Sequence, residues 1–187
     1  AAVINLGSIN AESFATLIGG KVDNSGSITV PGGDAALLSG DATLEIGEAE
    51  GGKISLDLSG LLDGLTINSG SIDVSSDDGQ GGSGIILGER ILIEGSVDAS
   101  GAEGGGTILV GGDYKGENPN LSNASATVLA AGASLNADAI GAGGGGKVIL
   151  WADDLTKFHG SISATGGIVL GDGGFVETSG KNYLEAY

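Results

Sequence analysis

The sequence has no cysteine and no methionine, a single histidine, a single tryptophan and two prolines. Without cysteine there are no disulfides, no thiolate metal sites and no thiol nucleophiles. One histidine is too few for the usual transition-metal site. Two prolines exclude collagen, which also needs glycine at every third position. No apolar run approaches the roughly 20 residues of a spanning helix, so no membrane insertion is expected. Basic groups are scarce as well: seven Lys plus Arg face 24 Asp plus Glu, a formal net charge of −17. Nucleic acid and anionic membrane surfaces would be repelled.

Glycine is abundant, 39 of 187 residues, and spread throughout. Each internal Gly costs a helix roughly 0.5–1 kcal/mol relative to Ala, which argues against long helices. A mean hydropathy of +0.24 is too high for a flexible linker or a charged disordered tail. An ordered all-β protein punctuated by glycine remains. No methionine opens the chain and no basic-then-apolar signal segment precedes Ala1. The expectation is therefore one segment, 1–187, of a longer chain.

Internal repeats define the architecture. Asn24-Ser25-Gly26-Ser27-Ile28 recurs letter for letter as Asn68-Ser69-Gly70-Ser71-Ile72, and Asn5-Leu6-Gly7-Ser8-Ile9 is a near copy. Looser copies begin at Glu94, Ala133 and His159. A second module places Gly-Gly before an apolar run at 51–56, 105–110, 145–150 and 173–178. Each module is a short run rich in Ile and Val, with period-2 alternation and turn residues at its ends, which is a strand. One such strand cannot bury its apolar face alone, so repeats of this kind stack as a solenoid. The first copies are 19 and 44 residues apart. Taking 44 as two turns of about 22 predicts about eight turns and a rod on the order of 40 Å long. Corners needing φ > 0 would account for the Gly and Asn. The predicted fold is a right-handed parallel β-helix, with Ile9, Ile28, Ile54, Ile72, Val97, Ile108, Leu135, Val148, Ile162 and Val176 in its core. Residues 111–127 lack alternation and carry Pro119, and are predicted to protrude as a loop.

The second half resembles a known family. Gly95–Gly112, Gly112-Asp113-Tyr114-Lys115-Gly116, Ala137-Asp138-Ala139, Val148–Asp153 and Gly171–Lys181 occur in order and are similar to the repeat region of filamentous-haemagglutinin-like exoproteins. These are the large two-partner-secretion adhesins of Gram-negative bacteria. Residues 95–187 carry the resemblance; 1–94 share only the generic repeat pattern. It implies a right-handed parallel β-helix, export through a dedicated outer-membrane partner, and a role in adhesion or biofilm at the bacterial surface or in the extracellular matrix. Asn118-Pro119-Asn120-Leu121 spells a tetrapeptide used in that family's amino-terminal secretion domain. That domain is not otherwise apparent, and the tetrapeptide is read as coincidence.

Many β-helix proteins cleave polysaccharides, so a lyase or glycoside hydrolase is the alternative function. Asp77-Asp78 and Asp153-Asp154 are the acid pairs available, but adjacent residues of a strand face opposite ways. Arg90, the only arginine, sits among acids and is expected to form an ion pair. His159 lies near Ser161 and Asp153 in sequence but occupies a corner position that other repeats fill with Ser or Leu, so no triad is expected. Asp77, Asp78, Asp153 and Asp154 are the candidates for a hard cation such as Ca²⁺. No tandem Ca²⁺-binding nonapeptides are present, and no cofactor is otherwise expected. No phosphate loop is present either.

Alternation through Val148–Trp151 puts Val148 inward and Trp151 outward, at the base of the 111–127 loop. Tyr114 and Trp151 are the candidate stacking faces for an extracellular polysaccharide or cell-surface glycan, with Asp113, Asn118 and Asn120 as polar neighbours. Two glycosylation sequons, at Asn120 and Asn123, also fall in the loop. The functional expectation is a structural and adhesive stalk segment without catalytic activity. Unpaired turns at its two ends would favour end-to-end association.

Overall fold

The computed structural model describes residues 1–40 and 64–187, with the backbone of Gly47–Glu48 and Ile54–Ser55. Short runs of Ile, Val, Leu and Thr form strands, and the Gly, Ser, Asn and Asp between them form the bends. The first turn comprises β1 (Ala2–Asn5), β2 (Ser8–Asn10) and β3 (Phe14–Gly19). The second comprises β4 (Lys21–Asn24), β5 (Ser27–Thr29) and β6 (Asp34–Ser39). Next in the chain come β7 (Gly47–Glu48) and β8 (Ile54–Ser55). The third turn is β9 (Leu65–Asn68), β10 (Ser71–Asp73) and β11 (Ser83–Leu87). The fourth is β12 (Arg90–Ile93), β13 (Ser96–Asp98) and β14 (Thr107–Val110). A 3₁₀ turn, Tyr114–Gly116, lies between β14 and the fifth turn, β15 (Ala126–Leu129), β16 (Ser134–Asn136) and β17 (Lys147–Ala152). The sixth is β18 (Leu155–Phe158), β19 (Ser161–Ser163) and β20 (Phe175–Gly180), and β21 (Tyr183–Ala186) begins a seventh.

Corresponding strands pair in parallel. Sheet A has seven strands, β1-β4-β9-β12-β15-β18-β21. Sheet B (β2 to β19) and sheet C (β3 to β20) have six each. The chain runs A to B to C once per turn, which is a parallel β-helix.

The register shows why the repeats exist. Ile9, Ile28, Ile72, Val97, Leu135 and Ile162 are successive partners in sheet B. Ile28 and Val97 are fully buried, as are Ile108 and Val148 in sheet C. Burying such a side chain stabilises the fold by about 1.5–3 kcal/mol. Ile9 and Ile162 are half-buried against the same core. Val176 departs from the expectation: it is 44 % exposed. It lies in β20, the outermost strand of sheet C, with a strand neighbour on one side only. The side chain of Ile54 lies outside the described residues.

Three sequence expectations are corrected. The spacing of 44 is one turn, because Lys21 pairs directly with Leu65 and Asn24 with Asn68. The extra length lies between β6 and β9, where β7 and β8 pair antiparallel with each other, so Ile54–Ser55 add no strand to sheets A, B or C; the rest of the 51–56 module lies outside the described residues. Six steps then span about 29 Å at the usual strand spacing. Nor do the repeated asparagines serve as φ > 0 corners, since Lys115 is the only non-glycine residue with positive φ among those described. Asn24 and Asn68 are fully buried, and Asn5 is 9 % exposed. Asn5 Nδ2 donates to Asn24 Oδ1 and Asn24 Nδ2 to Asn68 Oδ1, each at 2.7 Å. The second amide hydrogens go to backbone carbonyls of Ser27 and Ser71. A buried amide left unpaired would be costly, and stacking identical residues satisfies each from the next. Above Asn68 the same column becomes Ile93, Leu129 and Phe158.

A second buried polar column secures the corner between sheets C and A. Thr66, Thr127 and Thr156 are fully buried, and their hydroxyls donate to the carbonyls of Leu87, Trp151 and Ser179 at 2.8 Å.

Sheet C is apolar on both faces. Leu37, Ile86, Val110 and Leu150 face the core, while Leu38, Leu87 and Ile149 face outward and are nonetheless fully buried. A parallel sheet with this pattern requires cover on its outer face. The 111–127 loop supplies part of it.

Candidate functional site

The loop at 111–127 leaves β14 through Gly111 (φ 78°) and Gly112 (φ 149°), where a side chain would be strained. A Cβ at Gly112 would also sit 2.9 Å from the Trp151 ring. Asp113 then caps the 3₁₀ turn. Tyr114 N donates to Asp113 Oδ1 at 2.7 Å, and Gly116 N to Asp113 O at 2.8 Å. Lys147 Nζ forms an ion pair with Asp113, and Asn118 Nδ2 donates to its Oδ2 at 3.0 Å. Partial burial alone would raise the Asp113 carboxyl. The Lys147 ammonium, the Asn118 amide and the Tyr114 N–H outweigh it and hold the group below its ordinary value.

Asn118 Oδ1 accepts from Asn120 N at 3.0 Å, so the tetrapeptide Asn118–Leu121 folds as a side-chain-stabilised turn around Pro119. Leu121 lands on Leu109, Ile149 and Trp151. Asn123 Nδ2 donates to Gly116 O at 3.0 Å and to Asp153 Oδ1 at 3.2 Å. Lys115 N reaches Glu177 Oε2, 62 positions away, at 3.1 Å. The predicted protruding loop is thus folded down on sheet C, tied to strands of two turns beyond its own.

Trp151 points outward from sheet C under this loop, as alternation requires. Its proposed stacking role is corrected: the residue is 7 % exposed, because the loop fills the space over its ring. Its indole N–H donates to Asp153 Oδ1 at 3.0 Å. Of the other residues singled out here, Tyr114 is 44 % exposed and Asn120 is exposed, while Asp113 and Asn118 have their polar atoms occupied in holding the turn. Asn123 Nδ2, the atom a glycan would take, is already bonded to Gly116 O and Asp153 Oδ1, and its Oδ1 is buried without a partner. An aromatic absent from the candidate set also belongs here. Phe175 meets Tyr114 edge-to-face at 5.5 Å between centroids, and Lys115 Nζ lies 4.9 Å over the Tyr114 ring. The Gly-Gly module before Phe175 was the available signal.

The remaining candidates do not converge. Asp77 and Asp78 lie at the bend between sheets B and C, and Asp153 and Asp154 at the bend between C and A. Asp78 accepts from the Ser76 hydroxyl at 3.4 Å and Asp154 from Asn182 at 2.9 Å. Among the described residues no three His, Cys, Asp or Glu side chains are grouped to hold a metal. His159 Nε2 meets Glu185 Oε1 at 3.1 Å, whereas the Ser161 hydroxyl bonds Ala133 O, so no triad assembles there. Arg90 is exposed and has no carboxylate partner among the described residues, contrary to the ion pair expected. No helix among those residues is long and apolar enough to cross a membrane.

The sequence matches no known family model, and no curated protein is similar to it in sequence. Its fold is similar to the HMW1 secretion domain from Haemophilus influenzae, with a TM-score of 0.75 and 24 % identity over 100 % of this chain. The chain spans 47 % of the length of that structure. The class established is a parallel β-helix.

Proposed function

We propose that this chain is an exported, non-enzymatic β-helical segment of a two-partner-secretion exoprotein. The observation that carries the reading is the full-length likeness of its turns to a secretion domain. The tetrapeptide Asn118–Leu121, set aside in the sequence as coincidence, supports it too, because it now sits on a fold similar to such a domain. In this reading the partner is an outer-membrane transporter, and the chain is secreted to the cell surface or matrix. Six stacked turns of short strands convert sequence into reach, which suits a role in adhesion or biofilm. The exposed loop face around Tyr114 offers an aromatic surface for extracellular polysaccharide. The outermost strands leave Val176 and Leu184 over 40 % exposed, and uncovered strand edges favour stacking of one rod on another.

The test is export. Expressed behind a signal peptide, the chain should reach the medium only when the outer-membrane transporter serving its parent exoprotein is co-expressed. Equal release without the transporter would overturn the reading.

A further inference from the structure

The paired glycines that precede the sheet-C strands stack in register, and their column opens a groove at the corner between sheets B and C. Thr107 N donates to Gly82 O, Lys147 N to Gly106 O and Phe175 N to Gly146 O, at 2.8–2.9 Å. The column excludes side chains for a local reason. A Cβ at Gly106 would lie 2.0 Å from Gly82 O, and one at Gly146 2.0 Å from Gly106 O. The glycines carry no side chain over this corner, and Gln80 reaches onto it, its Nε2 donating to Gly105 O at 3.2 Å; the corner forms an open groove of about 670 Å³. Gln80, Glu103, Thr107 and Lys147 supply its polar walls, and Phe175 closes one end. It runs along the rod over strands of the third to sixth turns, about 14 Å at the usual strand spacing.

The chemistry of the walls selects the ligand. The amides of Gly105, Gly106, Gly145, Gly146 and Gly174 already donate to backbone carbonyls of the rod. They cannot cradle a phosphate or pair with an added peptide strand. The Lys147 ammonium is neutralised by Asp113, and Glu103 stands uncompensated by any ion pair among the described residues, so an anionic ligand is disfavoured. What the groove offers is the carbonyl and second N–H of the Gln80 amide, whose first N–H is held by Gly105 O, with a carboxylate and a hydroxyl for hydroxyl groups, and an aromatic ring for C–H faces. Phe175 is 46 % exposed and its edge-to-face partner is Tyr114, whose own ring carries Lys115. An aromatic platform beside convergent polar groups suits a sugar ring.

We infer that this glycine-floored groove binds a neutral linear oligosaccharide lying along the rod, stacked on Phe175. The inference deepens the polysaccharide reading above by giving it a site. Cellohexaose, laminarihexaose, mannohexaose and chitohexaose are titrated calorimetrically at up to millimolar concentration, with polygalacturonate as the anionic comparison. Two variants interrupt the groove. Gly144→Leu inserts a side chain whose Cβ would meet only Asp172 O at 3.5 Å, and Phe175→Ala removes the platform. Gly7→Leu, with nothing within 4 Å of its Cβ and far along the rod, is the control. Circular dichroism verifies that each variant is folded.

The expected result is binding of at least one neutral hexaose and none of polygalacturonate. Affinity should drop about tenfold or more in Phe175→Ala, through loss of the aromatic contact and its buried area, and by at least as much in Gly144→Leu, through obstruction of the groove, and stay unchanged in Gly7→Leu. Binding that survives Gly144→Leu overturns the groove assignment while the polysaccharide reading stands. Binding of polygalacturonate equal to that of the hexaoses overturns the neutral-ligand assignment. No binding of any hexaose overturns both the groove and the polysaccharide reading, and leaves the secretion reading to its own test.

Discussion

Asn24 Nδ2 donates to Asn68 Oδ1 at 2.7 Å although the two residues are 44 positions apart. They are neighbours one turn apart in a buried column, and each needs the other to satisfy its amide. Asn24→Ala should therefore destabilise the rod by about 2–3 kcal/mol, since it leaves polar atoms of Asn5 and Asn68 unpaired in the core. Replacing all three asparagines by Leu should cost less than the sum of the single changes, because the column already continues as Ile93 and Leu129. Urea unfolding followed by circular dichroism measures both. Additive losses would contradict the interlocked column.

The glycine of the repeated Asn-Ser-Gly-Ser motif answers a different constraint. A Cβ at Gly70 would lie 1.9 Å from Gly26 O, whereas one at Gly7 meets nothing within 4 Å. Gly70→Ala should lower the melting temperature sharply, and Gly7→Ala should leave it near the wild-type value. Equal effects would mean that the turns are not stacked in this register.

Trp151 is the only tryptophan and is 7 % exposed beneath the loop, so its fluorescence reports loop docking. Emission should be blue-shifted in the native protein and move to the red in Leu121→Asp, which undermines the cover. Trp151→Ala should cost about 3–5 kcal/mol, as for other large buried aromatics. An unshifted spectrum in Leu121→Asp would show that the loop does not shield the ring.

Acid should release the same loop. The folded-state carboxyl of Asp113 lies below its ordinary value of 3.8. Its contribution is therefore complete above the unfolded value and is lost as pH falls below 3.8 through the lower folded value. Asp138 behaves alike: partial burial raises it, and the Ser163 hydroxyl and Thr165 N–H more than compensate. Asp113→Asn should flatten part of the acid limb of stability, measured by Trp151 emission between pH 2 and about 5. A limb identical to the wild type would show that Asp113 is not one of its causes.

Catalysis is tested directly. Incubation with a panel of polysaccharides, with and without Ca²⁺, should release neither reducing ends nor unsaturated sugars. Turnover abolished by Asp153→Asn or Asp154→Asn would replace the structural reading with the enzymatic one.

Local chemistry carried the architecture. Period-2 runs of Ile and Val between Gly and Asn can bury their apolar faces only by stacking, so the strand positions, the inward row from Ile28 to Leu135 and the outward turn of Trp151 are legible from spacing alone. The number of turns was not. A spacing of 44 reads equally as two short turns or as one long one, and only the pairing of Lys21 with Leu65 decides. The sequence also could not reveal the job of the repeated Asn, because an Asn that tolerates a corner and one that completes a buried ladder are the same letter. Tertiary structure alone decided that Asp113, Lys147 and Asn118 tie a loop down, that Trp151 lies beneath it, and that Phe175 stands at the end of a glycine-floored groove. Those relationships join residues up to 62 positions apart through hydrogen bonds and contacts between successive turns, and no pattern within a single turn encodes them.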